Sequence, residues 1–365
     1  MSLPTTIQAI SAEAINLPLT EPFAIASGAQ AVAANVLVKV QLADGTLGLG
    51  EAAPFPAVSG ETQTGTSAAI ERLQSHLLGA DVRGWRKLAA MLDHAEHEAA
   101  AARCGLEMAM LDALTRHYHM PLHVFFGGVS KQLETDMTIT AGDEVHAAAS
   151  AKAILARGIK SIKVKTAGVD VAYDLARLRA IHQAAPTAPL IVDGNCGYDV
   201  ERALAFCAAC KAESIPMVLF EQPLPREDWA GMAQVTAQSG FAVAADESAR
   251  SAHDVLRIAR EGTASVINIK LMKAGVAEGL KMIAIAQAAG LGLMIGGMVE
   301  SILAMSFSAN LAAGNGGFDF IDLDTPLFIA EHPFIGGFAQ TGGTLQLADV
   351  AGHGVNLEGH HHHHH

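Results

Sequence analysis

The fold class that the sequence predicts is α/β: a (β/α)₈ barrel with an amino-terminal α+β capping domain. Eight short apolar runs recur between Asp136 and Asp324 with a period of roughly 25 residues. Ala-rich helical segments separate these runs, and polar residues follow them. Apolar parallel strands need both faces covered, so eight alternating units indicate a closed barrel rather than an open sheet.

Residues 1–125 lack this period and are predicted to form the capping domain. A β-hairpin is expected over residues 35–50, with its turn at Asp44 and Gly45. Helices are expected over residues 66–78 and 100–118. Residues 19–30 and 55–62 are rich in Gly, Ser, Pro and Thr, which is typical of mobile loops that close over a barrel mouth.

Residues 126–325 are predicted to form the barrel. Residues 326–359 contain one further strand-like run, 344–347, which we expect to return to the capping domain. The run His360 to His365 is typical of a purification tag, so it is left out of any metal argument. The eight predicted barrel strands end in the runs 137–139, 159–164, 190–192, 217–220, 243–245, 266–269, 291–295 and 320–323.

Composition excludes several classes of function. The formal net charge is −13 and no stretch is basic, so nucleic acid is not an expected partner. No apolar run is long enough to span a bilayer and the amino terminus does not resemble a signal peptide, so we expect a cytoplasmic protein, and a homo-oligomer. Cys207 and Cys210 form a C-x-x-C without a second ligand pair, which favours small apolar helix residues over a zinc site.

Three acidic residues end neighbouring predicted strands: Asp193, Glu221 and Asp246. The active site of a barrel lies at the carboxyl ends of its strands, so these side chains should converge there. Carboxylate oxygens with no Cys or His among them suit Mg²⁺, with Mn²⁺ as a substitute.

Three lysines are expected at the same mouth. Lys163 and Lys165 point to one side of the second strand because side chains alternate, and Lys270 ends the sixth strand. Strands two and six lie across the barrel from each other. A carboxylate held on the metal would have a lysine on each face of its α-carbon, and repulsion between neighbouring cations is expected to lower a lysine pKa.

These residues lie in five ordered motifs: KVK at 163–165, DGN at 193–195, EQP at 221–223, ADES at 245–248 and INIK at 267–270. The motifs resemble the enolase superfamily, muconate-lactonising subgroup, and the resemblance covers nearly all of residues 4–358. It implies Mg²⁺ on the three carboxylates, Lys165 and Lys270 as the acid/base pair, and Lys163 close to the substrate carboxylate.

The eighth strand separates the reactions of this subgroup. Its run FIDLDTPLF at 320–328 resembles the D-x-D motif of dipeptide epimerases, in which two aspartates bind a free α-ammonium group. Asp322 and Asp324 would then bind the amino terminus of a dipeptide. The alternatives within the subgroup are an N-succinylamino acid racemase, an o-succinylbenzoate synthase and a cycloisomerase.

Thr138, Met298, Glu51 and Ile25 are predicted to complete the substrate site. The first capping loop has no arginine, whereas some relatives that act on Ala-Glu use one to hold the glutamate carboxylate. Glu51 and Asp319 add acid near the predicted mouth. We therefore expect cationic or apolar dipeptide side chains rather than acidic ones.

Two other classes of protein compete with this hypothesis. Lysines at barrel strand ends also serve Schiff-base aldolases, which need no metal. A barrel can also act only as a binding module, but three acids and three lysines in place argue against a decayed site.

Overall fold

The computed structural model describes residues 2–25 and 28–359, and of residues 22–25 and 28–30 only the backbone. The first unit is an antiparallel sheet in the order β1-β2-β3. Pairing of β2 with β3 confirms the predicted hairpin, and Gly45 in its turn has φ +92°. The strands are β1 (Ile7–Ile25), β2 (Gly28–Leu42) and β3 (Leu47–Ala52).

The predicted loop over residues 19–30 is wrong for the described backbone, which is extended up to Ile25 and again from Gly28. A register irregularity between Pro18 and Phe23 lets the pairing of β1 with β2 resume beyond Pro22. A proline is tolerated there because β1 is an edge strand and the irregularity removes the need for its N–H.

The helices of the first unit pack on one face of this sheet. Almost all of the longest, α4, is buried, because β3 approaches it closely. A Cβ on Gly48 would lie 2.1 Å from the carbonyl oxygen of Ala109, and one on Gly50 would lie 2.1 Å from that of Gly105. The helices are α1 (Pro56–Ser59), α2 (Gln63–Leu73), α3 (Trp85–Ala95), α4 (Ala100–His117) and α5 (Leu122–Phe125), with 3₁₀ turns at Gln74–His76 and Val82–Gly84.

The predicted barrel is confirmed as a curled parallel sheet of eight strands, which pair in chain order from β5 to β12. The backbone N–H of Asp136 donates to the carbonyl of Ile321 at 3.0 Å, which joins the first strand to the eighth. The strands are β5 (Met137–Ile139), β6 (Ile162–Lys165), β7 (Leu190–Asp193), β8 (Met217–Glu221), β9 (Val243–Ala245), β10 (Val266–Ile269), β11 (Gly292–Ile295) and β12 (Phe320–Ile321); β4 (Gln132–Glu134) precedes them.

The barrel helices begin where the sequence places capping residues. Six of them start at an Asp or Ser whose side chain accepts a backbone N–H of the first turn, which satisfies a donor that has no partner inside the helix. The helices are α6 (Glu144–Ala156), α7 (Val171–Ala184), α8 (Val200–Ala212), α9 (Trp229–Gln238), α10 (Ala252–Glu261), α11 (Leu271–Ala274), α12 (Val276–Ala288) and α13 (Ile302–Asn315), and a 3₁₀ turn covers Thr325–Phe328. Cys207 and Cys210 are buried free thiols in α8.

The last segment touches both units. The predicted strand near residue 345 forms as β15, but it pairs with β14 and β4 beside the barrel and not with the capping sheet. Contact with the first unit is made further on, where His353 Nε2 lies 2.8 Å from the carbonyl of Leu49. The strands are β13 (Phe334–Gly336), β14 (Ala339–Thr341), β15 (Thr344–Gln346) and β16 (Val355–Leu357).

No helix in the described ranges is long and apolar enough to cross a lipid bilayer.

Candidate active site

A cavity of about 1060 Å³ opens at the carboxyl ends of the barrel strands. Its roof includes residues 55–61 of the capping unit, so the loop predicted over residues 55–62 does lie at the mouth. Most of the predicted site residues line this cavity: Thr138, Lys163, Lys165, Asp193, Asp246, Lys270, Met298, Asp322 and Asp324.

Three carboxylates stand on adjacent strand ends. Asp193 and Glu221 pair in register on β7 and β8, and Asp246 follows β9. Glu221 is fully buried behind the cavity wall, where its Oε1 accepts the amide N–H of Asn268 at 2.7 Å. Asp193 accepts the backbone N–H of Asn195 at 3.0 Å.

The lysines lie among these carboxylates. Lys163 Nζ is 3.0 Å from Glu221 Oε2 and 3.6 Å from Asp193 Oδ2. Lys270 Nζ is 2.7 Å from Asp246 Oδ2, and Lys165 Nζ is 3.8 Å from Asp193 Oδ2. Each catalytic candidate on strands two and six therefore stands beside one of the three acids.

Lys273 is a site residue that the sequence reasoning missed. Its Nζ lies 3.1 Å from Asp246 Oδ1 and donates to the backbone carbonyls of Asp246 and Asn268. The spacing of three residues from Lys270, across the start of a short helix, was the signal that could have revealed it.

Charge compensation sets the pKa values at this end of the barrel. Burial raises the pKa of Glu221 to about 7 despite the attraction of Lys163. Burial opposes ionisation of Asp246 too, but Lys270 and Lys273 hold its pKa well below the usual range. Burial lowers the pKa of Lys270, and the charges of Asp246 and Glu221 outweigh it, so the pKa lies above the ordinary value.

The expectation that cation repulsion lowers a lysine pKa stays a prediction for the site with Mg²⁺ in place; without the charge of the ion, the neighbouring carboxylates dominate at Lys163 and Lys270. The pKa of Lys163 is also raised, because the attraction of Asp322 and Glu221 exceeds the effect of burial. Only the pKa of Lys273 is lowered among these three, with burial as the main cause.

The donor set fits a divalent cation. Three hard oxygen donors stand on adjacent strand ends, and Glu221 Oε2 is buried with no hydrogen-bond donor among the described groups. Within the described ranges, the acids found with oxygens inside 4.8 Å of one another are Asp136, Asp322 and Asp324, and not these three carboxylates. Both oxygens of Asp246 pair with lysines, Oδ2 with Lys270 and Oδ1 with Lys273, so a cation bound there would compete with an ion pair.

The backbone beyond two of the acids is strained. Asn195 has φ +49° and Gln222 has φ +34°, a region that residues other than glycine seldom adopt. Gln222 Oε1 accepts the backbone N–H of Asp246 at 3.0 Å, which ties the ends of β8 and β9 together. Strain of this kind is typical of sites where geometry is held for function.

Asp322 and Asp324 both reach the cavity beyond β12. Lys163 Nζ donates to Asp322 Oδ2 at 2.8 Å, and the backbone N–H of Thr138 donates to Asp324 Oδ2 at 2.7 Å. Asp136, which the sequence reasoning did not single out, lies beside both. The D-x-D pair thus forms an acidic corner of the cavity.

Two residues predicted near the substrate are placed differently. Glu51 is fully buried and does not line the cavity, because its carboxylate accepts N–H groups at the start of α13. Asp319 precedes β12 and accepts the backbone N–H of Leu293, at the end of the strand away from the mouth. The side chain of Ile25 lies outside the described side chains.

An eight-stranded parallel barrel with a capping sheet and this ring of acids and lysines defines a class, and the comparisons with known proteins agree. The family model described as "Enolase C-terminal domain-like" matches residues 146–361. The model "Mandelate racemase / muconate lactonizing enzyme, N-terminal domain" matches residues 9–127. The chain belongs to this family of the enolase superfamily.

Individual relatives narrow the comparison. A Populus trichocarpa protein named L-Ala-D/L-amino acid epimerase is 40% identical over 94% of this chain and 83% of its own length. A crystal structure of a mandelate racemase/muconate lactonizing protein from Herpetosiphon aurantiacus is 98% identical, covers 98% of this chain and 100% of that one, and has a TM-score of 0.95. A dipeptide epimerase structure from Enterococcus faecalis, complexed with Mg and L-Leu-L-Tyr, is 31% identical over 96% and 99% of the two chains, with a TM-score of 0.93.

Proposed function

We propose that the protein is a Mg²⁺-dependent dipeptide epimerase that moves a proton at the α-carbon of the carboxy-terminal residue. The observation that carries this proposal is one cavity that holds Lys165 and Lys270, from strands four apart in the sheet, together with Asp322 and Asp324. A lysine on either side of the α-carbon suits removal of its proton from one face and return to the other.

Asp193, Glu221 and Asp246 are the proposed metal ligands. Bound there, Mg²⁺ would supply the positive charge that stabilises a substrate carboxylate as its α-proton leaves. Mg²⁺ on Asp246 would compete with its ion pair to Lys270, and a weaker pair would reduce the largest attraction that raises the pKa of this lysine. Lys163 keeps a position beside Glu221 and Asp322, from which its ammonium group faces the substrate carboxylate.

Asp322 and Asp324 are proposed to bind the free α-ammonium group of the dipeptide. Both are buried, and hydrogen bonds between charged groups in such a place contribute roughly 1.5 to 3 kcal/mol. Thr138 and Met298 line the same cavity and would contact the substrate chain. An N-succinyl or aromatic acid would bring negative charge to this corner and be disfavoured.

The two named epimerases among the relatives support this assignment. The Populus protein carries activity on L-Ala dipeptides in its name, and the Enterococcus structure holds Mg and a dipeptide. Both match this chain over more than nine tenths of its length, capping unit included.

The test is a dipeptide library incubated with the protein and Mg²⁺ in D₂O, read by mass for α-deuterium. Exchange at the carboxy-terminal residue that is lost after chelation and restored by Mg²⁺ is the expected result. An N-succinylamino acid that exchanges faster than every dipeptide would assign the racemase alternative instead. Borohydride trapping of a carbonyl substrate without metal would assign the aldolase class.

A further inference from the structure

Asp136 is buried inside the barrel, behind the acidic corner. It precedes β5 by one residue and shares the side of that strand with Thr138, so its side chain faces the barrel interior. It is 1% exposed and does not line the cavity. One oxygen from each of Asp136, Asp322 and Asp324 lies within 4.8 Å of the other two.

The hydrogen bonds at this corner leave three carboxylate oxygens without a donor among the described groups. Lys163 Nζ donates to Asp322 Oδ2, and the backbone N–H of Thr138 donates to Asp324 Oδ2. Both oxygens of Asp136 and Oδ1 of Asp322 are buried with no hydrogen-bond donor among the described groups. Buried carboxylate oxygens without a donor carry a large desolvation cost. We therefore expect a proton on one of these two carboxyl groups, which would donate a hydrogen bond to the other.

The charges around this corner also favour a proton on one of its aspartates. Lys163 is the cation in contact with this corner, and it also lies against Glu221 and Asp193. Three ionised aspartates around one shared ammonium group in a dry place repel each other strongly, which favours a proton on one of them. Burial, followed by the charges of Asp322 and Asp324, raises the pKa of Asp136 well above the usual range, whereas Lys163 helps to lower that of Asp322 to about 2.

We propose that Asp136 is a positioning residue that, as a neutral carboxylic acid, donates a hydrogen bond to Asp322 Oδ1 and fixes the D-x-D pair for an ammonium ligand. The proton stays on Asp136 throughout, so no proton is transferred to the substrate. This inference rests on the proposed function for its kinetic consequence, but the protonation state of Asp136 can be measured without any substrate.

Two substitutions separate the roles of this side chain. Asp136→Asn keeps its size and a donor, and Asp136→Leu keeps its approximate size without a donor. The assay measures kcat/KM for an exchanging free dipeptide and for its N-acetyl derivative. We expect Asp136→Asn to stay within about threefold of the parent. Asp136→Leu should lose on the order of tenfold or more with the free dipeptide, mainly through KM, and much less with the acetylated one.

The control is Asp319→Asn, the same change near the start of the eighth strand, where Asn can still accept the N–H of Leu293. It should leave unchanged the ratio of kcat/KM for the free dipeptide to kcat/KM for its N-acetyl derivative. Equal losses in Asp136→Asn and Asp136→Leu would show that the residue acts as an anion, which overturns the proposal. Equal losses on both substrates would reduce Asp136 to a structural role.

Infrared difference spectra of the parent protein against Asp136→Asn provide a second readout. The parent should show the carbonyl band of one additional protonated carboxylic acid, which the variant lacks. A carboxylate band in its place contradicts the proposal whether or not the protein epimerises dipeptides. A parent with no exchange on any dipeptide, but with the protonated acid present, refutes the proposed function alone.

Discussion

Lys165 and Lys270 each lie beside one of the three acids. Lys270 Nζ lies 2.7 Å from Asp246 Oδ2, and Lys165 Nζ is 3.8 Å from Asp193 Oδ2. A base must be neutral when it removes a proton, and an ion pair opposes that state. In the proposed mechanism, Mg²⁺ bound to Asp246 would weaken its ion pair with Lys270 and so favour the neutral amine.

Replacing either lysine with alanine is expected to abolish epimerisation, with a loss on the order of 10² to 10⁴ in rate, because each supplies one half of the proton transfer. In D₂O one variant should still exchange the α-proton of a single epimer. The assay is optical rotation together with mass spectrometry. Lys160→Ala, an exposed lysine just before the second barrel strand, is the matched control. Near-normal turnover in either variant would refute the two-base assignment.

Much of the candidate site could be predicted at the residue scale. Strand ends face the mouth of a barrel, so acids and lysines in those positions are informative without any coordinates. Glu51 was misplaced because a carboxylate at the end of a hairpin carries no sequence signal for what it contacts. Asp136 was missed because it lies below the mouth, at the start of its strand. Its neighbour Asp322 is 186 residues away along the chain, so sequence spacing does not link the two.

At the element scale, Glu51 joins the capping sheet to a barrel helix. Its carboxylate accepts the backbone N–H groups of Ser301 and Ala304 at 3.0 and 3.1 Å and the amide of Asn35 at 2.8 Å. Ser301 and Ala304 begin α13, whose first N–H groups have no partners inside the helix. A side chain from one unit thus caps a helix of the other.

Glu51→Ala should lower the free energy of unfolding by about 3 kcal/mol, because it leaves buried donors at the start of α13 without acceptors. The measurement is urea denaturation followed by circular dichroism. Glu13→Ala, on the exposed face of β1, is the control and should change little. An unfolding free energy within 0.5 kcal/mol of the parent, roughly the size of a surface effect, would contradict the role of Glu51 in joining the two units.

A second connection between the units depends on pH. Glu107 of α4 accepts the backbone N–H groups of Val276 and Ala277 at the start of α12. Burial raises its pKa to about 7 from 4.5, with Arg103 among the groups that oppose the shift. The folded state therefore binds this proton more tightly than the unfolded chain does.

The direction of the pH dependence of stability follows from this difference in proton affinity. The stabilising effect of the bound proton is complete below the unfolded pKa of 4.5 and is lost as pH rises to about 7, a change of roughly 3 kcal/mol at 1.36 kcal/mol per pKa unit. Glu107→Gln cannot titrate, so its stability relative to the parent should improve between pH 5 and pH 8. Urea denaturation at both values measures this, with Glu71→Gln on the exposed side of α2 as control. A constant difference between parent and variant would contradict it.

The regular elements were predictable because period and capping residues act locally. All eight barrel strands form where apolar runs recur, and the Asp and Ser residues before the helices act as caps. The partner of β15 was not predictable, since a three-residue strand carries no information about which edge it meets. Strand β1 was mistaken for a loop near Pro22 because its pairing depends on β2 and not on its own composition.

At the scale of the whole molecule, the cavity lies between two units, and its outer wall belongs to neither alone. Capping residues such as Glu61 and Asp93 face barrel residues such as Arg250 and Glu278 across it. The sequence could place the inner ring of charges, which follows from the barrel period. It could not place this outer wall, because tertiary contacts decide which capping residues reach the cavity.

The lining of this wall bears on which dipeptide binds. Ten acidic and seven basic side chains line the cavity, so it carries an excess of negative charge before a metal binds. The lining also offers an apolar surface from Phe55, Val58, Met298 and Val299. Arg250 lines the cavity with two other arginines, Arg103 and Arg226, and its backbone N–H donates to Asp254 Oδ2 at 2.9 Å.

The substrate is therefore expected to carry apolar or cationic side chains, since an acidic one meets excess negative charge. The measurement is kcat/KM for Ala-Glu, for an apolar dipeptide, for a dipeptide with Lys or Arg, and for an N-succinylamino acid. Apolar or cationic dipeptides should exceed Ala-Glu by about tenfold, which corresponds to 1.4 kcal/mol. If Ala-Glu is preferred and Arg250→Ala removes the preference, the argument from the missing capping-loop arginine fails and Arg250 holds the glutamate. Preference for the N-succinyl compound would instead overturn the assignment of Asp322 and Asp324 as the ammonium site.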